Sequence, residues 1–258
     1  AMGVGVFMSC RPSNRQLIHG LGDSIKVNAQ MLKVHAYEYS AWASAFSIST
    51  SLDFYQLTQG VPELVSAMQS GLYGQGDVAQ MLENEIVNIY GAALVDLASF
   101  ENNALFSVAC LMVLMGEGNI SELEACGVRL SAIDQSYLVR DYPIFGVDPA
   151  DRRFTSLGTE DTARLRLRKL VAEIRPELVV RAARILIKAG RCDTAMDLAD
   201  AFLDRSEVLE LAGQYGVDLA LTGHGGDVCR AALGKTEADD RASEPTPDEA
   251  LGIYLAAV

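Results

Sequence analysis

Residues 104–115, with the sequence ALFSVACLMVLM, decide the fold of this chain. Ser107 is the one polar residue in this segment, and Gly116 follows directly after it. A helix that is apolar on every face is typical of burial on all sides. Its twelve residues are too few to cross a bilayer, which takes about 20 residues. The segment therefore predicts a buried helix at the centre of the first lobe of a helical protein. The chain contains no apolar segment longer than this one, so none suggests a membrane-spanning helix.

Apolar residues spaced three and four apart occur on both sides of this segment, and that spacing predicts amphipathic helices. On the N-terminal side the pattern covers Ile25 to Phe46 and Val78 to Phe100, and it leaves Glu83 and Asp96 for solvent or a partner. On the C-terminal side glycines separate several shorter helices between residues 159 and 234. The sequence thus predicts an all-α fold, a two-lobed multi-helix bundle whose second half has the rhythm of a helical-hairpin stack.

Two interruptions of the helical pattern predict the domain organisation. Proline and glycine break the periodicity in residues 134–158, which indicates a connection between lobes. Residues 235–245 are polar and acidic, which is typical of a flexible linker. The predicted parts are an N-terminal helical lobe (1–133), the connection (134–158), a C-terminal helical lobe with a basic face (159–234), the linker (235–245) and a C-terminal docking helix (246–258).

The predicted docking helix has clear start signals. Thr246 can act as N-cap, Pro247 suits the first turn, and Glu249 has capping-box spacing. Four apolar residues then form its predicted partner-docking surface: Leu251, Ile253, Tyr254 and Leu255. Because an apolar helix on a flexible linker needs an apolar surface to cover it, we expect docking on its own domain, on a neighbouring subunit or on a partner.

Charge is distributed unevenly in this acidic chain. The chain has 21 Lys and Arg against 34 Asp and Glu, a net charge of −13. Residues 140–191 contain twelve basic and seven acidic residues, a local balance of +5, whereas the remainder contains nine basic and 27 acidic residues. The total charge argues against simple coating of nucleic acid. The local excess predicts a surface that binds something negative.

The basic residues of this segment have helical spacing. Steps of three, four and three place Arg181, Arg184, Lys188 and Arg191 on one helical face. Five further arginines, in the preceding helix and the connection, complete the predicted binding set: Arg152, Arg153, Arg164, Arg168 and Arg175. Several interpretations remain open. The arginines can pair internally, as Glu177 can with Arg181, or they can bind an acidic protein surface or another copy of the chain. They can also bind the phosphates of single-stranded RNA or another anion.

Catalytic and metal-binding signals are weak. His224 and Asp227 lie close to Cys229, and a thiol, an imidazole and a carboxylate can form a nucleophilic site. A glycine turn followed by a helix cap explains the same residues equally well. Three histidines and five cysteines show no paired metal-ligand spacing, so neither a metal nor a cofactor is expected.

The leading functional hypothesis is a non-catalytic helical protein for protein interaction or self-assembly. The odd cysteine number without a CxxC motif favours a reducing, cytoplasmic compartment. An apolar content of 50% favours a homo-oligomer that covers part of the surface. The alternative is an RNA-binding packaging subunit that works like a viral nucleoprotein, and the further alternative is an enzyme without a readable motif.

Overall fold

The computed structural model describes residues 58, 60–73, 78–99, 103–125, 127–142, 144–148, 150–156 and 161–228. The predictions for Ile25 to Phe46, for Cys229 and for everything from residue 229 onward, including the docking helix, lie outside these residues. The helices are α1 (Pro62–Tyr73), α2 (Val78–Ala98), α3 (Asn103–Met115), α4 (Ile120–Ala125), α5 (Ala132–Asp141), α6 (Asp161–Ile174), α7 (Glu177–Lys188), α8 (Cys192–Phe202) and α9 (Arg205–Leu221). The predicted all-α multi-helix class is confirmed.

Three short strands accompany the helices: β1 (Glu117–Asn119), β2 (Phe145–Asp148) and β3 (Arg153–Ser156). β1 pairs antiparallel with β3, with Gly118 opposite Phe154 and Asn119 opposite Arg153. A Cβ added to Gly118 would lie 2.7 Å from Cζ of Phe154, so this pairing requires glycine. The segment 134–158, predicted as a connection, therefore contains the greater part of α5 and two of these strands.

The chain forms two compact units, and each consists of several segments. Among the described residues, unit 1 comprises those within 58–106, 131–147 and 161–163, and unit 2 comprises those within 107–130, 148–156 and 164–228. The predicted boundaries at residues 133 and 158, and the two-lobed arrangement, stay predictions. All nine predicted basic binding residues belong to unit 2, although two of them precede α6 in the sequence.

α3 is the buried helix that the opening segment predicts. Val108 to Met115 are all buried, at no more than 3% exposure. Gly116 ends the helix with a positive φ of +78°, and its amide donates to the carbonyl of Met112 at 2.9 Å. Within the described part of the chain, no helix is long and apolar enough to cross a membrane.

Unit 1 buries both carboxylates that the helical pattern left for solvent or a partner, and Glu83 is 9% exposed. Asp96 is 4% exposed and accepts a hydrogen bond from the hydroxyl of Tyr142, so it does not face solvent as its position in the helical pattern suggested. Burial and the bond to Asp96 raise the pKa of Tyr142 well above its usual range. Tyr90 packs edge-on against Phe145 and donates to the carbonyl of Ile144 at 3.0 Å. The contacts tie α2 to the segment that follows α5.

In unit 2, α7 packs against both α8 and α9. The turn between α7 and α8 is set by Gly190, whose φ of +73° is a conformation that favours glycine. The amide of Gly190 donates to Ile187 and that of Arg191 donates to Leu186, which is the Schellman pattern at a helix C-terminus. This turn directs the chain back along α7, so the residues after it begin a packed helical hairpin.

Candidate functional site

Two of the predicted binding residues hold the C-terminal end of α3. Arg168 on α6 is 8% exposed, and its Nε donates to the carbonyl of Leu114 at 2.9 Å. Arg191 in the α7–α8 turn donates to the carbonyl of Met115 at 3.1 Å and to that of Glu117. The last carbonyls of a helix lack intrahelical donors and carry partial negative charge, so a guanidinium suits them. We call this arrangement the α3 cap.

A third arginine lies close to the α3 cap. Cζ and Nε of Arg164 are each 3.9 Å from the position that a Cβ on Gly116 would occupy. Nε of Arg164 is buried and has no hydrogen-bond partner. Its positive charge therefore adds to the field at the end of α3 without completing a hydrogen bond through that atom. Three arginines from two parts of the sequence thus converge on one helix end.

Three further predicted residues form ion pairs within unit 2. Arg152 pairs with Glu124 at 2.8 Å, Arg184 pairs with Glu210 at 2.5 Å, and Arg175 pairs with Glu177. The hydrogen bond from Arg175 lowers the pKa of Glu177. The internal pairing that the sequence left open thus occurs, and Glu177 takes Arg175 as its partner. Nη2 of Arg181 lies near Gly127, 3.6 Å from where a Cβ on that glycine would be.

Two predicted residues keep an exposed charge without an ion pair among the described residues. Arg153 lies on β3 and Lys188 in the last turn of α7, and both are exposed. The turn that follows Lys188 is joined to the strand pair that contains Arg153, because Arg191 bonds to the carbonyl of Glu117 of β1 and β1 pairs with β3. Together with Arg152, whose side chain is 49% exposed, Arg153 and Lys188 form what we call the basic rim.

Sequence reasoning missed three exposed cations of unit 2 and a row of acidic residues. Arg129, Arg166 and Lys169 are exposed, and none of them was predicted as a binding residue. On α8, Asp193, Asp197 and Asp200 are all exposed, and their spacing of four and three places them on one side of the helix. We call these three aspartates the acidic face. The spacing of these three aspartates in the sequence is sufficient to predict that they share one side of a helix.

His224 lies at one end of the acidic face, in an open cavity of about 160 Å³. The cavity is lined by Asp193, Met196, Asp197, Asp200, His224 and Asp227. The ring of His224 is 15% exposed, with Nδ1 3.2 Å from Asp227 and Nε2 3.6 Å from Asp193. The structure thus brings together His224 and Asp227 of the predicted catalytic trio. Such a cavity attracts positive charge, and the described residues that line it include neither a hydroxyl nor a thiol nucleophile.

The backbone explains the position of His224. The amide of His224 donates to the carbonyl of Leu219 at 2.8 Å, and that of Gly223 donates to Ala220, which completes a second Schellman cap. The predicted glycine turn is therefore present at the end of α9. Among the described residues, no group of three or more His, Cys, Asp or Glu is arranged to hold a metal ion.

Cys110 in the middle of α3 does not suit nucleophilic chemistry. Burial raises the pKa of its thiol from 9.0 to about 12, although the charge of Arg175 acts in the opposite direction. Because the thiolate is the reactive form, this cysteine stays inert near neutral pH.

In unit 1, an open groove of about 670 Å³ lies beside α1 and α2, lined by Pro62, Glu63, Ser66, Ala67, Met81, Asn84 and Glu85.

Comparison with known proteins adds no relative: no family model, no curated protein and no solved structure matches this chain.

Proposed function

We propose that this chain is a non-catalytic helical protein that self-assembles, with the basic rim of one copy binding the acidic face of another. The observation that carries the proposal is that unit 2 presents exposed charge of both signs. Arg153 and Lys188 form no ion pair within the described residues, while Asp193, Asp197 and Asp200 share one exposed helix side. Opposite charges of this kind favour orientation and the rate of encounter between partners.

The backbone of Arg152 supports a role for the basic rim. Its φ of +52° makes it the one non-glycine residue with a positive φ in the described part of the chain. Such a conformation costs free energy for an arginine, whereas glycine adopts it without penalty. An arginine at this position is therefore consistent with selection for its side chain, which pairs with Glu124 and remains half exposed.

The structural use of arginine favours a protein partner over RNA. Binding to a nucleic acid gains affinity with each phosphate that is neutralised. Arg168 and Arg191 donate to backbone carbonyls, and Arg175 and Arg184 pair with glutamates. These four side chains already bond to acceptors within the protein, so they are less able to neutralise phosphates. The proposal includes a cytoplasmic homo-oligomer in which residues 246–258 act as an apolar docking element.

The test reverses the charge of the basic rim. We expect the wild-type chain to form a complex larger than a monomer at about 50 mM salt and to dissociate at about 500 mM, because salt screens exposed charges. The variant R153E/K188E is expected to be monomeric at both salt concentrations, and the charge-preserving control R153K/K188R to behave like the wild type. Light scattering after size-exclusion chromatography gives the mass.

One result would contradict this proposal, and another would favour the RNA-binding alternative. A wild-type chain that is monomeric at low salt contradicts self-assembly. Salt-sensitive binding of single-stranded RNA that is lost in R153E/K188E would support the packaging-subunit alternative. The third hypothesis, an enzyme, depends on the pair of His224 and Asp227, and it would gain support from a turnover that H224N abolishes.

A further inference from the structure

An exposed apolar pair of side chains lies on α9. In the described part of the chain the large exposed apolar residues are Val95, Ile133, Leu165, Ile174, Val217 and Leu221. Val217 and Leu221 are four residues apart on α9, so they share one helix face, at 53% and 81% exposure. Leu165 and Ile174 on α6 are nine residues apart, which places them on opposite faces. Only the α9 pair thus forms a stripe.

The chain leaves the described region close to the C-terminal end of α9, on the side of the helix opposite this stripe. After α9, the Schellman cap reverses the chain, and the amide of His224 bonds to the carbonyl of Leu219. Val228 is buried and lines the same small apolar cavity as Leu219. Leu219 is two residues from Val217 and two from Leu221, so it lies roughly 160° around the helix from both and faces the core. The following segment therefore starts level with the stripe along the axis and has to pass around α9, a helix about 10 Å in diameter, to reach it.

The following segment is long enough to return to the stripe. The predicted linker, residues 235–245, has eleven residues, and a flexible linker of that length has a root-mean-square span of roughly 17–20 Å. A short flexible linker gives an effective concentration in the millimolar range, so attachment to the same chain is favoured over attachment to another copy. Residues 246–258 have the required pattern, since Leu251, Leu255 and Val258 fall on one face of a helix.

We propose that residues 246–258 dock on α9 of the same chain and cover Val217 and Leu221. This inference rests on the proposed function in one respect, the docking role of that segment, and it names the acceptor surface. The apolar stripe is then closed in the isolated chain. Contacts between copies are left to the basic rim and the acidic face, and a partner with an amphipathic helix of its own has to displace the segment.

The test measures amide hydrogen exchange of the full chain by mass spectrometry. We expect the amides of residues 251–258 to exchange at least about tenfold more slowly than in an unstructured peptide. The variants V217D/L221D, on the acceptor, and L255D, on the segment, are each expected to remove this protection. I133D is the matched control, because Ile133 is also 81% exposed and lies on α5. It should leave the protection unchanged.

Three outcomes would overturn the inference. One is an unprotected segment in the wild-type chain, and another is protection that survives V217D/L221D. The third is a drop in mass from dimer to monomer in V217D/L221D, since that result would place the segment on a second copy. The charge variant R153E/K188E is expected to keep the segment protected, so a failure of the charge-based assembly is distinguishable from a failure of the docking.

Discussion

The α3 cap and the basic rim differ although the same sequence signal predicted both. Arg168 is 8% exposed and donates to a backbone carbonyl, and Arg191 donates to two. Arg153 and Lys188 are exposed and form no ion pair within the described residues. Part of a local excess of positive charge therefore stabilises the fold, at a helix end whose carbonyls need donors. Only the remainder can act on a partner.

The largest expected effect concerns Arg168. Arg168→Ala should lower the free energy of unfolding by about 3 kcal/mol, because it leaves a buried carbonyl without its charged donor and removes a buried side chain. Urea denaturation measures the loss. Lys169→Ala changes the exposed neighbour on the same helix, and we expect a change within about 0.5 kcal/mol. Equal effects of the two substitutions would contradict the distinction between buried and exposed cations.

Arg191 should show a smaller loss, because its side chain is only partly buried. We expect Arg191→Ala to lower the free energy of unfolding by about 2 kcal/mol, since the carbonyls of Met115 and Glu117 lose a charged donor. Arg153→Ala is the matched substitution in the basic rim and should be nearly neutral. Thermal or chemical denaturation compares the pair. A neutral Arg191→Ala would mean that water serves these carbonyls equally well.

The turn that positions Arg191 provides a third test. Gly190 has a φ of +73° and open space around its Cα, so Gly190→Ala is strained by the backbone alone. We expect a loss of about 1 kcal/mol in the free energy of unfolding. Gly226→Ala is the control, because that glycine also has open space but lacks a positive φ. A stability unaffected by Gly190→Ala would show that the turn does not depend on the left-handed conformation.

The smallest expected effect concerns Cys110, which is buried in the middle of α3, whereas the α3 cap lies at the end of the same helix. Burial raises its pKa from 9.0 to about 12, so the native state keeps the thiol protonated after the unfolded chain has lost the proton. The contribution of this thiol to the free energy of unfolding is therefore fully present below pH 9, and it decreases as the pH rises from 9 toward 12. Between pH 7 and pH 9.5 this group alone should cost about 0.8 kcal/mol. Cys110→Ala should show a pH-dependent loss smaller by that amount.

The sequence was sufficient for α3, for the all-α class and for most helix positions, because these follow from local periodicity. It could not supply the acceptor of Arg168, because Leu114 lies 54 residues away along the chain. The burial of Asp96 depends in the same way on Tyr142, 46 residues later. The strands β1 and β3 are three and four residues long, too short for an alternating pattern to appear. Contacts between distant residues are set by the packing of the whole unit.

The most direct test of the central claim, that exposed charges of unit 2 hold copies together, is a charge exchange. R153E/K188E reverses two residues of the basic rim, and D197K/D200K reverses two of the acidic face. Light scattering at low salt gives the mass of each variant and of their mixture. We predict a monomer for each variant alone and recovery of a larger complex in the mixture, because opposite charges face each other again. A mixture that stays monomeric, or variants that assemble like the wild type, would contradict the account.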